Sequence, residues 1–352
     1  MFYIVLYFIV IILLYRKKFL YLNVLLVLLI GFRYNVGTDY WNYTNNFLYQ
    51  NIFAYEVGFK LLNKLLFLFT SNSQVLFLCS GIISIFFMWK GIKNYNIDNR
   101  LLYYIYFCMY FIEPNFNLTR HGIAMSISYY ALSVKNNYKR FLLILFASVF
   151  HKVALVLIII ILFKRVNIRY YIIFLLSSIL IYFLDIDILK ILYENNLIIS
   201  DYLKWKIKVY MYTRELSDKN ITIGIVYRLI LLLICLINLK LWKKNQEIIK
   251  ILIASNISFF ILSINGVFYE RVANLLYLFE INILAILFLK KNIIAKIFIV
   301  ILVTLFYLKI SFKENTEKGQ FIYQKKYKYI PYKMKLINKE TNFEWKTEYY
   351  KK

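Results

Sequence analysis

Only two prolines and nine glycines interrupt the 352 residues. A chain so poor in breakers suits long helices, and a β-barrel, whose strands alternate apolar with polar residues, does not fit it. Cysteine and histidine are equally scarce. Cys79, Cys108 and Cys235 all lie inside apolar runs, so they read as small core residues, neither a disulfide set nor a metal site. His121 and His151 are the only histidines, too few for a histidine-rich metal centre, and no cofactor is expected. Acidic residues number 18 against 44 Lys and Arg, a formal net charge of +26. The basic residues come in short clusters between apolar runs, such as "RKK" at 16–18 and "KK" at 243–244. That is the pattern of helix ends facing cytoplasm and anionic lipid. No RNP-like, zinc-finger or glycine-rich phosphate-loop pattern accompanies them, so membrane lipid is an expected partner and nucleic acid is not.

What is present is apolar surface: 62% of the residues are hydrophobic and 20% aromatic, with a mean hydropathy of +0.62. A soluble domain of this length could not hide so much, so lipid must solvate most of it. The fold class expected is all-α, a polytopic integral membrane protein of about 10–12 helices. Candidate spans cover 2–15, 19–32, 74–90, 101–113, 118–134, 141–163, 170–186, 222–240, 249–265, 272–289 and 293–310. Several fall short of the roughly 20 residues a perpendicular helix needs. The first run follows no basic residue and shows no small-residue cleavage site, so it reads as an uncleaved span. No repeat or linker divides the chain, giving one membrane domain over 1–311 and a polar, Lys/Tyr-rich tail over 312–352.

Basic clusters set the orientation. Arg16, Lys17 and Lys18 put the first connection inside and the stretch from residue 31 outside; Lys90, Lys93 and Arg100 then belong inside. This requires "YEVGFKLLNKLLFLF" (55–69) not to cross, and its Glu56–Lys60 pair and Lys64 suit a helix lying in the outer interface. Residues 113–117 come out outside, and Lys135, Lys139 and Arg140 inside. The run 140–165 is basic at both ends. It is either a single crossing or a pair of half-helices turning near Phe150-His151-Lys152; the bent pair keeps both basic ends inside and is the expected form. Each half would reach about halfway across the hydrocarbon. Downstream, 187–221 and 265–271 fall outside, 240–250 and 290–292 inside, and the lysine-rich tail is left outside unless the last run fails to cross.

Four ionisable constellations gather toward the outer side: Arg33 with Asp39, Arg120 with His121, His151 with Lys152, and Glu270 with Arg271. Intramembrane charges are costly and ordinarily point into polar cavities. Plainer readings stand beside this one: headgroup snorkelling for Arg33 and Lys152, a carbonyl-bonded core histidine for His151, a self-neutralising pair for Glu270–Arg271. The aromatic stripes, "LLYYIYFCMYFIEP" and the terminal "EYYKK", read as packing and interface anchors. Several arginines around one outward cavity would suit a diphosphate, whose oxygens guanidinium forks bind bidentately. Gly37 lets the loop between Arg33 and Asp39 turn sharply, and Asp39 and His151 are the groups able to take a proton from a hydroxyl.

The segments "FRYNVGTDYWNY" (32–43), "YEVGFKLLN" (55–63), "LTRHGIAMSI" (118–127), "FASVFHKVAL" (146–155) and "YERVANL" (269–275), in this order, resemble the EpsG family of bacterial polysaccharide-biosynthesis membrane proteins, related to Wzy-type polymerases. The resemblance runs from about residue 30 to 290. One departure is His121, where family members often carry glutamine. The resemblance implies a polymerase acting at the outer face of the bacterial cytoplasmic membrane. It would join undecaprenyl-diphosphate-linked oligosaccharides into an exopolysaccharide, capsule or O-antigen chain. It further implies a flippase and a chain-length regulator of the same pathway as partners. On this reading Asp39, His151 and Arg120 are the catalytic set. Arg33, Gly37, Tyr40, Tyr43, Glu56, Glu270 and Arg271 would contact substrate. The alternatives are a flippase for the same units, which would also want a basic cavity, and another membrane glycosyltransferase or O-antigen ligase.

Overall fold

The structure, a computed structural model, describes residues 1–53, 55–196, 204, 223–238, 242, 245–262, 266–314 and 327–340. Most of the expected outer segment 187–221, Lys240, Lys243 and Lys244, and the terminal "EYYKK" lie outside the described residues. The described elements are helical, with two isolated β-bridges and no strand. Short polar residues start several helices as their composition dictates. The side chains of Asp98, Asn136, Asn167 and Asn292 accept from the backbone N–H of Arg100, Lys139, Arg169 and Ala295.

By contact the chain divides into two compact units, Met1–Ala154 with Leu284–Lys352, and Leu155–Ile283. In the first, α1 (Phe2–Tyr15), α2 (Phe19–Gly31), α3 (Tyr40–Leu48) and α4 (Val57–Phe69) lead into α5 (Gln74–Asn94). The 21-residue α5 is the central post, with α2 on one side and α8 (Thr119–Ser133) on the other. Between them α6 (Asn99–Tyr106) passes through a π-turn, Phe107–Phe111, into α7 (Ile112–Phe116), and α9 (Asn137–Phe150) follows α8. In the second unit α10 (Val156–Phe163), α11 (Ile168–Phe183), α12 (Ile188–Glu194) and α13 (Ile223–Ile237) precede α14 (Gln246–Leu262) and α15 (Gly266–Tyr277). Here α14 is the packed centre, touching α11, α13 and α15. The chain then continues through α16 (Glu280–Lys290), which spans the division, to α17 (Ile293–Ser311).

The exterior is apolar. Phe8 is 57% exposed, Leu20 73% and Phe183 72%, and surfaces of that kind are stable only against lipid. This is an all-helical membrane protein. Among the described residues, Gln74–Asn94, Arg271–Lys290 and Ile293–Ser311 have both the length and the apolarity to cross a bilayer. The other apolar helices, such as Phe2–Tyr15 and Ile168–Phe183, are shorter. Of the about 10–12 helices expected, a re-entrant hairpin and an interfacial helix among them, these three have the length to cross.

Particular elements differ from their sequence reading. The run 272–289 is not one smooth helix, because the chain turns at Leu278-Phe279 between α15 and α16. The run 141–163 breaks at His151, where turning was expected, but α9 is longer than a half-helix. Its 14 residues run antiparallel along α8, and its end reaches the first turn of α8, where His121 meets His151. The helix expected in the interface forms as α4, with Val57, Leu61, Leu65 and Leu68 exposed along one stripe. Its Glu56, however, turns to Arg120 instead of Lys60.

Of the polar tail, residues 327–340 return as a strap across the end of α2. Backbone N–H groups of Tyr34 and Gly37 donate to the carbonyls of Lys333 (2.8 Å) and Lys328 (3.0 Å), and Lys335 N–H donates to Phe32 O (2.9 Å). Asn338 Nδ2 donates to Tyr40 Oη at 2.9 Å, and Tyr3 Oη donates to Tyr329 O at 2.8 Å. Lys313 pairs with Glu113 at 2.6 Å. The start of α1, the 32–40 loop, residues 113–121 and the strap thus share one end of the helices. The clusters at 16–18, 90–100 and 135–140 share the other. In a cysteine-free background, Asn51→Cys and Lys339→Cys should label together with an impermeant thiol reagent on intact cells, whereas Lys17→Cys and Lys139→Cys should label only after permeabilisation. If Lys339→Cys sided with Lys139→Cys, the strap would not lie where the structure has it.

Candidate active site

The loop after α2 is fixed by its backbone. Asn35 (φ 51°) and Gly37 (φ 87°) adopt left-handed conformations, which Asn tolerates and Gly takes without strain. Gly37 also has no room for a side chain, since a Cβ there would sit 2.0 Å from the Phe116 carbonyl oxygen. Asn117 fastens the turn: its Oδ1 accepts from Thr38 Oγ1 (2.7 Å) and from Asp39 N (3.0 Å). Asp39 stands at the N-cap of α3 without capping it through its side chain. Its half-buried carboxylate lies within Coulombic reach of Arg33, Tyr43 and Tyr55.

Arg33 is 0% exposed. Its guanidinium carbon lies 4.5 Å from the Phe77 ring centroid, 5.9 Å from Phe116 and 6.0 Å from Tyr40. It donates to Val36 O (3.2 Å) and Thr119 Oγ1 (3.1 Å), and its Nε has no hydrogen-bond partner among the described residues. Arg33, expected to contact diphosphate or sugar, is enclosed here, and its guanidinium stacked on rings joins the end of α2 to α5 and α8. Tyr40 is buried beside it, its hydroxyl taken by Gln74 and Asn338; it too supports the loop.

Three successive residues at the start of α8 tie three elements together. Thr119 holds Arg33, Arg120 holds Glu56 at the head of α4, and His121 meets His151 at the end of α9. The α8 backbone can approach α7 this closely because residue 122 is glycine: a Cβ there would lie 2.6 Å from Pro114 O. The Arg120–Glu56 contact is 2.5 Å, with the side chains 19% and 6% exposed. Arg120 also lies over the Tyr55 ring, at 4.5 Å from its centroid, with Tyr43 in electrostatic contact. Tyr55 Oη accepts from Asn46 Nδ2 at 2.6 Å. The Arg120 guanidinium is thus held on one edge by a carboxylate and on one face by a ring, while its Nε has no hydrogen-bond partner among the described residues. Positioned donors of this kind stabilise charge that develops on a reacting oxygen.

The chain's only two histidines stack edge to face, with ring centroids 5.0 Å apart and planes at 73°. His151 is extended (φ −154°, ψ 115°) at the end of α9, and its Nδ1 accepts from Val153 N at 3.4 Å. Both rings are buried, and the adjacent Lys152 is exposed. Pairing of His121 with His151 was not visible in the sequence, where they stand thirty residues apart. Glu270 and Arg271 lie on α15 in the second unit; the Glu270 side chain falls outside the described residues and Arg271 is half-buried.

Within the second unit the structure adds a pair that sequence reasoning missed. Arg228 Nε donates to Glu280 Oε1 at 2.9 Å, and the guanidinium carbon lies 3.5 Å from the Tyr277 ring centroid. The signal was available: Arg228 stands alone in the apolar run of α13, and Glu280 at the middle of the 271–290 span. Among the described residues no group of three or more His, Cys, Asp or Glu side chains could hold a metal ion.

No curated protein and no solved structure shows a significant match to the chain. The model of the EpsG family matches residues 1–334, a stretch that takes in all five motifs, the whole second unit and the strap as far as Met334. With nearly its whole length matched, this chain belongs to the EpsG family.

Proposed function

We propose that the chain is a polysaccharide polymerase that joins repeat units carried on undecaprenyl diphosphate, at the outer face of the bacterial cytoplasmic membrane. The products it would build are exopolysaccharide, capsule or O-antigen chains. Family membership supports the pathway. The observation that carries the chemistry is the Arg120–Glu56 pair set under Tyr43 and Tyr55, with Asp39 in electrostatic contact with both tyrosines. These groups occupy the ends of the helices opposite the basic clusters. There the polar half of a lipid-linked glycan would lie, with its polyprenyl tail in the bilayer.

The reaction transfers the growing chain to a fresh unit. An acceptor hydroxyl attacks the anomeric carbon, a glycosidic bond forms, and the bond to the lipid diphosphate breaks. The hydroxyl proton passes to a base and undecaprenyl diphosphate departs with the electron pair. Asp39 suits the base role better than its neighbours. Glu56 is committed to Arg120, and His151 is buried with Nδ1 already accepting a backbone N–H. Arg120 meets the leaving diphosphate, which needs positive charge more than protonation. Arg33, Gly37 and Tyr40 shape the loop that presents Asp39. Arg271 and Glu270 are further substrate contacts on this reading, and a flippase and chain-length regulator are its pathway partners.

A flippase for the same units is the second reading. The buried Arg228–Glu280 pair is the observation favouring it, because ion pairs at mid-span are a feature of transport paths. The two readings separate on one variant. Arg120→Lys keeps charge but loses the fork, and should cost about 2–4 kcal/mol of transition-state stabilisation, roughly thirty- to a thousandfold in polymer formation. An impaired polymerase leaves single units stranded on the outer leaflet; an impaired flippase leaves them on the inner one. Inner-leaflet accumulation would replace the polymerase reading with transport, and normal long polymer would return Arg120 to a structural role.

The base assignment is tested by comparing Asp39→Asn with His151→Gln at matched protein abundance. Long polymer should disappear in the first and persist in the second; the reverse pattern would make His151 the base. Arg33 behaves differently. Arg33→Ala leaves an aromatic cage empty and Thr119 Oγ1 without its donor, so the protein should lose about 3 kcal/mol or more and accumulate poorly. A normally abundant, thermally unchanged but inactive Arg33→Ala protein would show that Arg33 acts on substrate after all.

A further inference from the structure

At the basic end of the first unit's helices, the end away from Arg120, α2, α5 and α6 line an apolar groove of about 660 Å³. That is within the size of ligand sites, about 300–1,000 Å³. Leu20 and Val24 of α2 face Ile85 and Trp89 of α5, and the polar residues lining it include Lys93 and Asn99. We propose that this groove is a binding site for one anionic phospholipid of the leaflet whose headgroups meet Lys93.

Length, polarity and charge each select that occupant. The lining positions run from Phe19 to Leu28 on α2 and from Ile82 to Lys93 on α5. At about 1.5 Å per residue these are about 14–17 Å, roughly half of a 30 Å hydrocarbon core. The groove therefore matches an acyl chain of one leaflet and falls far short of a polyprenyl tail. Its walls are apolar except at the basic end, where Asn23 Oδ1 accepts from Tyr103 Oη at 2.8 Å. There Lys93 is exposed, Lys90 sits one turn-edge away over Phe86 (4.5 Å), and Lys18 immediately precedes the lining residue Phe19. Asp98, the acid at this end, is occupied by Arg100 at 2.7 Å. A cationic mouth above an apolar slot calls for an anionic headgroup on acyl chains.

The test is native mass spectrometry of the full-length protein, titrated with phosphatidylglycerol and with phosphatidylcholine of the same acyl chains. Wild type should retain one phosphatidylglycerol at collision energies that strip phosphatidylcholine. Lys93→Glu should erase at least about fivefold of that preference, the worth of one cation at an anionic surface. Val24→Trp, which fills the slot, should abolish retention of the lipid, and Leu20→Trp at a lipid-exposed position serves if that variant folds poorly. Equal retention of both lipids by wild type, or undiminished phosphatidylglycerol in the lysine and filling variants, would overturn the proposal. Displacement of the lipid by soluble glycerol phosphate would do so too, by reducing the site to headgroup contact. So would a dimer that dissociates on filling the groove, which would give the site to a second copy of the chain.

Discussion

A guanidinium with no solvent contact has to be compensated by whatever encloses it, and around Arg33 that requirement organises a whole end of the molecule. Phe77 comes from α5, Phe116 from α7, Thr119 from α8 and Val36 from the loop itself. Their meeting point is possible only because Gly37 lets the loop pass within contact of the Phe116 carbonyl. The strap then closes over the loop by pairing its backbone with Tyr34, Gly37 and Phe32. Loop polar groups that would otherwise meet lipid or water are satisfied within the protein.

Once that strut is in place, the next residues of α8 are committed. Arg120 and His121 follow Thr119 directly, so fixing one fixes the direction of the others. Arg120 closes on Glu56 at the head of α4, and His121 reaches the end of α9. The Arg120–Glu56 pair is buried enough to be strong, and a buried pair contributes little to stability after desolvation. Arg120 lies over the Tyr55 ring, so the pair also carries a ring contact beside its charge contact. A carboxylate that holds one edge of the arginine orients the rest of the fork for an anion.

The two ends of the helices carry different physics. At the site end, Arg33, Arg120 and Glu56 are enclosed or paired with named partners. At the other end, lysines such as Lys93, Lys139 and Lys17 are exposed, where the long apolar stems can lie along the helix and the charge can reach headgroups. The groove below Lys93 belongs to that second regime, an apolar slot with a cationic rim. The candidate site and the groove are thereby separated by the length of α5.

The sequence by itself determined the class of molecule and much of the layout. Sparse proline, abundant apolar residues and clustered lysines point to helices in lipid, because only helices and closed barrels satisfy the backbone there and a barrel's strands would alternate apolar with polar residues. The same clusters predicted which segments share an end, and the start of α1, the 32–40 loop and residues 113–117 do share one. The break at His151 was legible from basic residues on both sides of one apolar run. Partners were not legible. Glu56 could be matched to Lys60 by helical spacing, yet it pairs with Arg120, sixty-four residues away. That Arg33 carries charge is visible in the sequence; that it is fully enclosed is not. His121 and His151, the strap on the 32–40 loop, and Arg228 with Glu280 are likewise meetings of distant segments. Local periodicity fixes which face of a helix a residue occupies; only the packing of one helix on another decides what that face meets, and that choice depends on side-chain shape summed over the whole chain.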